Sequence, residues 1–422
     1  MSARAMLHRN RCALWYMTAA CLSWGMFYSL VATAQTSAPK PTSVFQDISR
    51  RADSARETGD VPTAIQLYGK GLRLNPAWQE GLWYLGSLEY DGSHYAEAAT
   101  ALRKLTTLNP KMSAAWALLG LSEFETSNFS QSFSHLQRAR ELGSPPELAR
   151  VTEYHMALLL NLRGEFEKAG TVLSQLVLQG VNSEDVQVGL GLSLLRVPLL
   201  PAQLDPSKDA LIHDAGNVGG FLAHREFERA DVGFRDLLKK YPRTPFVHYA
   251  YGTALAAHGK EEEAEAQFRE ETTVTPESGL AYTEWAFLEL HNQHYEAALP
   301  LARNAVKLAP QSSMSRFVLG SILLAQNELA PSISELETAR RLAPSSPEIR
   351  YSISRAYAKA GRSEESRRER AEFARLQSKT KGAENEDRRE DVNGREAIPP
   401  TDGAIPSTPQ PPQAVPPEAI PH

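Results

Sequence analysis

Between Pro245 and Pro276 the apolar residues Tyr249, Tyr251, Ala254 and Leu255 fall at helical spacing, and Gly259 breaks the pattern. A second apolar series runs from Glu261 through Ala264 and Phe268 to Pro276, where the missing N–H and the ring's clash with the preceding turn end a helix. The pattern predicts two antiparallel helices. Its landmarks return every 34 residues at Pro242, Pro276, Pro310 and Pro344, with Tyr251-Gly252 then Ala264, Trp285-Ala286 then Ala298, and Leu319-Gly320 then Ser332 between them. A fixed period of this length means a stack of helical pairs, each burying its apolar face on its neighbours.

The small residues mark where paired helices approach, since a larger side chain at Gly252 or Ala264 would overpack the contact by roughly 1 to 3 kcal/mol. Thr244-Pro245 and Ser346-Pro347 read as helix starts, a capping hydroxyl followed by a residue preset for the first turn.

The same order recurs upstream. Leu82, Leu85, Gly86, Ala98, Leu102 and Pro110 form one set, and Trp116, Leu119, Gly120, Leu136 and Ala139 the next. Tyr282, Trp285, Ala298, Ala302, Ala305 and Pro310 form another. These sets resemble the tetratricopeptide repeat, a helix-turn-helix unit, over roughly residues 45–376, with Ser132, Ser332 and Ser366 where alanine is usual. The resemblance implies an all-α fold, a right-handed α-α superhelix in which the first helix of each unit lines a concave groove. By analogy with the family, the groove positions include Trp83, Tyr90, Phe124, Tyr154, Tyr249, Phe287, Phe317 and Tyr351. Rings immobilise at low entropy cost, so such a trough suits an extended or helical segment of another protein. The Lys, Arg and Asn clamp by which some members hold a terminal carboxylate is not matched.

Outside the array the composition changes. Arg4, His8, Arg9 and Arg11 precede an apolar run from Cys12 to Ala34, with no acidic residue in residues 1–34. This reads as an export signal of bacterial type, with Ala32-Thr33-Ala34 offering cleavage before Gln35. The alternative is an uncleaved inner-membrane anchor spanning residues 12–31 and facing the periplasm. Both cysteines, Cys12 and Cys21, lie in this leader, so a processed chain has neither disulfides nor thiolate chemistry. Processing would lower Lys plus Arg from 45 to 42 against 50 acidic residues, a net charge of −8, which argues against nucleic acid as partner.

A flexible linker is expected over 35–44, about four repeats over 45–183, and an interruption over 184–210. There one apolar helix, Glu184 to Arg196, gives way to Pro198, Pro201 and Asp205-Pro206. The segment reads as a connector whose Leu199, Leu200 and Leu204 cover apolar surface, or alternatively as a hinge or partner-docking loop. About five repeats follow over 211–376, the last with a charged second helix suited to capping, and then a disordered, charged and finally Pro-rich tail over 377–422.

Catalytic signatures are missing: the chain has no HExxH, no GxSxG and no phosphate-binding Gly-rich loop. His291 and His294 share a turn without an evident carboxylate partner in the sequence, so no metal or cofactor is expected. The expectation is a non-catalytic protein-binding scaffold, periplasmic or secreted. An anchored envelope-assembly factor of outer-membrane or pilus type is the alternative, and a hydrolase with a site at 198–209 a third.

Overall fold

The computed structural model describes residues 41–395, and every regular element among them is helical. Nineteen α-helices follow in order: α1 (Pro41–Glu57), α2 (Val61–Leu74), α3 (Gln79–Asp91), α4 (Tyr95–Leu108), α5 (Ser113–Glu125), α6 (Phe129–Glu141), α7 (Pro146–Leu162), α8 (Phe166–Leu178), α9 (Glu184–Leu194), α10 (Asp209–Ala223), α11 (Phe227–Lys240), α12 (Val247–Ala257), α13 (Glu261–Val274), α14 (Gly279–His291), α15 (Tyr295–Leu308), α16 (Ser313–Ala325), α17 (Leu329–Leu342), α18 (Pro347–Lys359) and α19 (Ser363–Arg395). The export signal or anchor expected in residues 1–34 and the Pro-rich end of the tail lie outside the described residues. The helices group into two compact units that meet in sequence between Leu288 and Glu289, inside α14. The spacing of prolines gives no sign of that division.

Within a pair, the turn is built one way. A left-handed residue, Gly59, Ser93, Ser127, Gly164, Arg225, Gly259, Gln293, Asn327 or Gly361, closes the first helix. Five residues later stands Ala64, Ala98, Ser132, Ala169, Ala230, Ala264, Ala298, Ser332 or Ser366, whose N–H donates to the carbonyl four positions back at 2.9–3.0 Å. That bond is the first of the second helix. Ser132 and Ser332 are accommodated because their hydroxyls donate to the Gly120 and Gly320 carbonyls at 2.7 Å, so neither of these two buried hydroxyls is left unpaired. Small residues on the first helix admit the second: a Cβ at Gly86, Gly120 or Gly320 would sit 2.7 Å from Leu102, Leu136 or Leu336.

The interruption follows from this rule. After α9 the regular turn forms, with Arg196 left-handed at φ 55° and the Val197 N–H on the Leu192 carbonyl at 2.9 Å. The helix therefore ends at Leu194, short of the expected Arg196. Pro198 falls at the first helical position, where proline is tolerated. Pro201 falls five residues after Arg196, where every other unit needs its N–H, and the second helix is not built. Two short 3₁₀ turns replace it, Pro201–Gln203 and Pro206–Lys208, the latter capped by the Asp205 carboxylate, which accepts from the Ser207 N–H at 2.9 Å. Leu200 and Leu204 pack inward and Leu199 is exposed.

Packing continues through the interruption. Asn161 of α7 donates to the Gly189 carbonyl of α9 at 3.3 Å and accepts from Ser193 at 3.0 Å. Helix α10 lies against α9 with its backbone in contact: a Cβ at Gly191 would be 2.1 Å from the Ile212 carbonyl oxygen, and one at Gly216 would be 2.1 Å from that of Gln187. The later residue of α9 meets the earlier one of α10, so the two helices run antiparallel.

In the second unit, Ile333 and Leu336 of α17 pack with Leu324, Ile353, Ala356 and Tyr357. Charges on the first half of α19, up to residue 379, are mostly solvated in pairs such as Arg367 with Glu364 at 2.7 Å, but Glu369 is buried between Arg340 and Arg350. Two further boundaries differ from expectation. Helix α1 begins at Pro41, inside the proposed linker, and α19 continues past Leu376 to Arg395, because the Lys, Glu, Arg and Ala of that stretch are strong helix formers.

Candidate functional site

The aromatic positions of the first helices divide by environment. In the first unit Trp83 is half-buried against the core around Leu82, and Phe287 is 38% exposed. Tyr90 (6% exposed) is packed edge-on to Tyr95 at 5.4 Å, and Tyr154 (3% exposed) lies among Ala157, Leu158, Val186 and Leu190. Neither of these two can meet a ligand without unpacking, so they are core residues and not groove anchors. Phe124 joins an internal row, with Phe129 at 5.6 Å and His155 at 4.6 Å. In the second unit Phe317 is half-buried on the Leu324 and Leu336 core, while Tyr351 is 49% exposed with Phe373 5.5 Å away.

His155 shows what the first unit's interior does to charge. It is buried, its Nδ1 lies 2.7 Å from the Val151 carbonyl, and burial lowers its pKa from 6.5 to about 4, which holds it neutral. His294 pairs with Glu289 at 2.9 Å, and no group of three or more metal-binding side chains occurs among the described residues.

Tyr249 belongs to a charged cluster that sequence spacing does not foretell. The Arg196 guanidinium lies 4.8 Å from the Phe166 ring centre, 5.7 Å from Tyr249 and 5.8 Å from Phe246, within cation–π range. It is ion-paired with Glu167, and its side chain is only 14% exposed. Half-buried Glu284 stands nearby: burial and then the charge of Glu167 raise its pKa. Burial and then Glu284 likewise raise Tyr249.

Two features position this cluster. Arg196 and Phe246 are both left-handed, at φ 55° and 68°, a conformation that costs a side-chain-bearing residue about 1–2 kcal/mol. Fully buried Glu271 of α13 holds the start of α12 by accepting from the Phe246 N–H at 2.8 Å, the Tyr249 N–H at 3.0 Å and the Thr275 hydroxyl at 2.7 Å. The cap expected of Thr244-Pro245 is thus displaced: α12 begins at Val247, and a carboxylate from the next helix does the capping. A separate cleft of about 250 Å³ between α8, α9 and α10 is walled by Val177, Val181, Val186, Leu190 and Phe221.

A family model for the tetratricopeptide repeat matches residues 84–145 and 284–336. No curated protein matches the chain. Among solved structures, MamA from Desulfovibrio magneticus RS-1 is 18% identical over 39% of this chain and 94% of its own, with a TM-score of 0.36. YrrB, titled a TPR protein with an unusual peptide-binding site, is 18% identical over 41% and 89%, with a TM-score of 0.35. Yeast Tom70 is 13% identical over 80% and 86%, with a TM-score of 0.34. The family match falls on helices that carry the repeat's small residues at its fixed offsets, and the same turn and bond recur in pairs outside the matched segments. Residues 84–145 and 284–336 are therefore tetratricopeptide repeats, and helical pairs of the same build flank them.

Proposed function

We propose that the protein is an exported, non-catalytic scaffold that binds segments of other proteins on the faces of its first helices. The observation that carries this is the exposure of large rings there, Phe287 and Tyr351, with half-buried Trp83. Isolated apolar side chains on a surface need no explanation. Rings at the positions by which this family engages peptides do, because an aromatic anchor gains most when a partner desolvates it. The partner is an extended or helical protein segment. What supports the compartment is the leader pattern in residues 1–34.

The test is capture from the native cell envelope by crosslinking, comparing the wild type with a Trp83→Ala, Phe287→Ala, Tyr351→Ala variant. All three side chains are at least partly solvated, so the helical content should be unchanged while partner recovery falls at least tenfold. Equal recovery from both proteins refutes the proposal.

A further inference from the structure

The geometry points to a cation-recognition site in the first unit, formed by Phe166, Glu167, Phe246, Tyr249 and Glu284, which accepts an arginine or lysine of a bound protein segment and is now filled by the chain's own Arg196. This deepens the scaffold proposal by naming the chemistry of the partner, and it rests on that proposal.

Three observations support it. The site demonstrably suits a guanidinium: three rings lie within 5.8 Å of the Arg196 charge and a carboxylate pairs with it. A second carboxylate, half-buried Glu284, also acts on the Tyr249 ring, and among the described residues it has neither an ion pair nor a hydrogen bond. A half-buried carboxylate left this way favours any cation that reaches it. Finally, Arg196 is a ligand that can leave. It stands at the end of α9 on a strained left-handed residue, followed by Val197-Pro198 instead of a helix, and its partner Glu167 is 66% exposed.

A basic segment therefore competes with Arg196, and removing the guanidinium should strengthen its binding. The probe is fluorescein-labelled hexa-arginine followed by anisotropy, with hexa-citrulline, a neutral isostere, as its control. Arg196→Met keeps the aliphatic stem over the rings and should bind hexa-arginine at least tenfold tighter than the wild type, with hexa-citrulline unchanged. Adding Glu284→Gln or Tyr249→Ala should cancel the gain. Arg138→Met makes the same change in net charge on an exposed pair with Glu141 and should shift binding less than twofold. If Arg196→Met does not fold, Arg196→Gln, which still bonds to Glu167, must show the gain. Equal or weaker binding by the folded Arg196 variant, or a gain that survives Glu284→Gln, overturns the site. Should that happen while the Trp83, Phe287, Tyr351 variant still loses its native partner, the cation site fails and the scaffold proposal stands.

Discussion

The contact between α9 and α10 makes the sharpest prediction. A methyl added at Gly216 would be 2.1 Å from the Gln187 carbonyl oxygen and 2.7 Å from its carbon. Ordinary contact begins near 3.4 Å, so the helices must separate by roughly 1 Å. Nothing closer can yield, because the obstacle is main chain and not a rotatable side chain. Separation would loosen Ile212, Ala215, Val218, Leu190 and Leu192, all buried around this crossing. Overpacking usually costs about 1–3 kcal/mol when side chains can shift, and the rigid case should cost about 3 kcal/mol or more. Gly220, one helical turn along the same helix, has nothing within 4 Å of its Cβ direction, so Gly220→Ala should gain up to about 1 kcal/mol of helix propensity. Urea unfolding followed by circular dichroism reads both. If Gly216→Ala lies within about 0.5 kcal/mol of the wild type, a range ordinary for surface changes, the backbone contact is not as described.

The remaining predictions concern buried charge. The pKa of His155 is lowered on folding, so its contribution is fully present above pH 6.5 and is lost as the pH falls toward about 4, roughly 3 kcal/mol over that window; in His155→Leu the thermal midpoint should be much less dependent on pH across it, and an unaltered slope would refute the assignment. The pKa of Glu284 is raised, so its contribution is present below the ordinary 4.5 and fades as the pH climbs through the raised value. Glu284→Gln should accordingly melt higher than the wild type at pH 7, and a lower melting point would show that the carboxylate has a partner. Glu271→Ala orphans the Phe246 and Tyr249 N–H groups and should cost about 3 kcal/mol, with Glu271→Gln costing less because one acceptor remains. Equal losses in calorimetry would locate the effect in packing.

The helical pairs were legible in the sequence because proline and glycine act locally. Pro276 or Gly259 has the same effect on its own turn wherever the chain goes next. The abortive second helix was also legible in principle, since counting five residues from the turn at Arg196 lands on a proline. What the pattern could not supply is which ring faces out. Tyr154 and Tyr351 hold comparable places on their helices, yet Val186 and Leu190 of α9 join the packing around the first, while the second is open. The cation cluster was invisible for a related reason. Its parts come from residues 166–167, 196, 246–249 and 284, and a left-handed Phe246, which no propensity favours, helps to set it. Such a site exists only after the fold has brought distant segments together.

Pro201 has an effect on parity. An array made of pairs should hold an even number of helices, and dropping one would ordinarily set two neighbours running the same way, with every later unit facing the wrong partner. Helix α10 avoids this by serving twice, antiparallel to α9 and then opening the pair it forms with α11. With such a shared member the described chain loses a single rod, yet α9, α10 and α11 still alternate in direction. One imino acid, set where a donor was needed, and a glycine on each side of the new seam are enough to make an odd count viable.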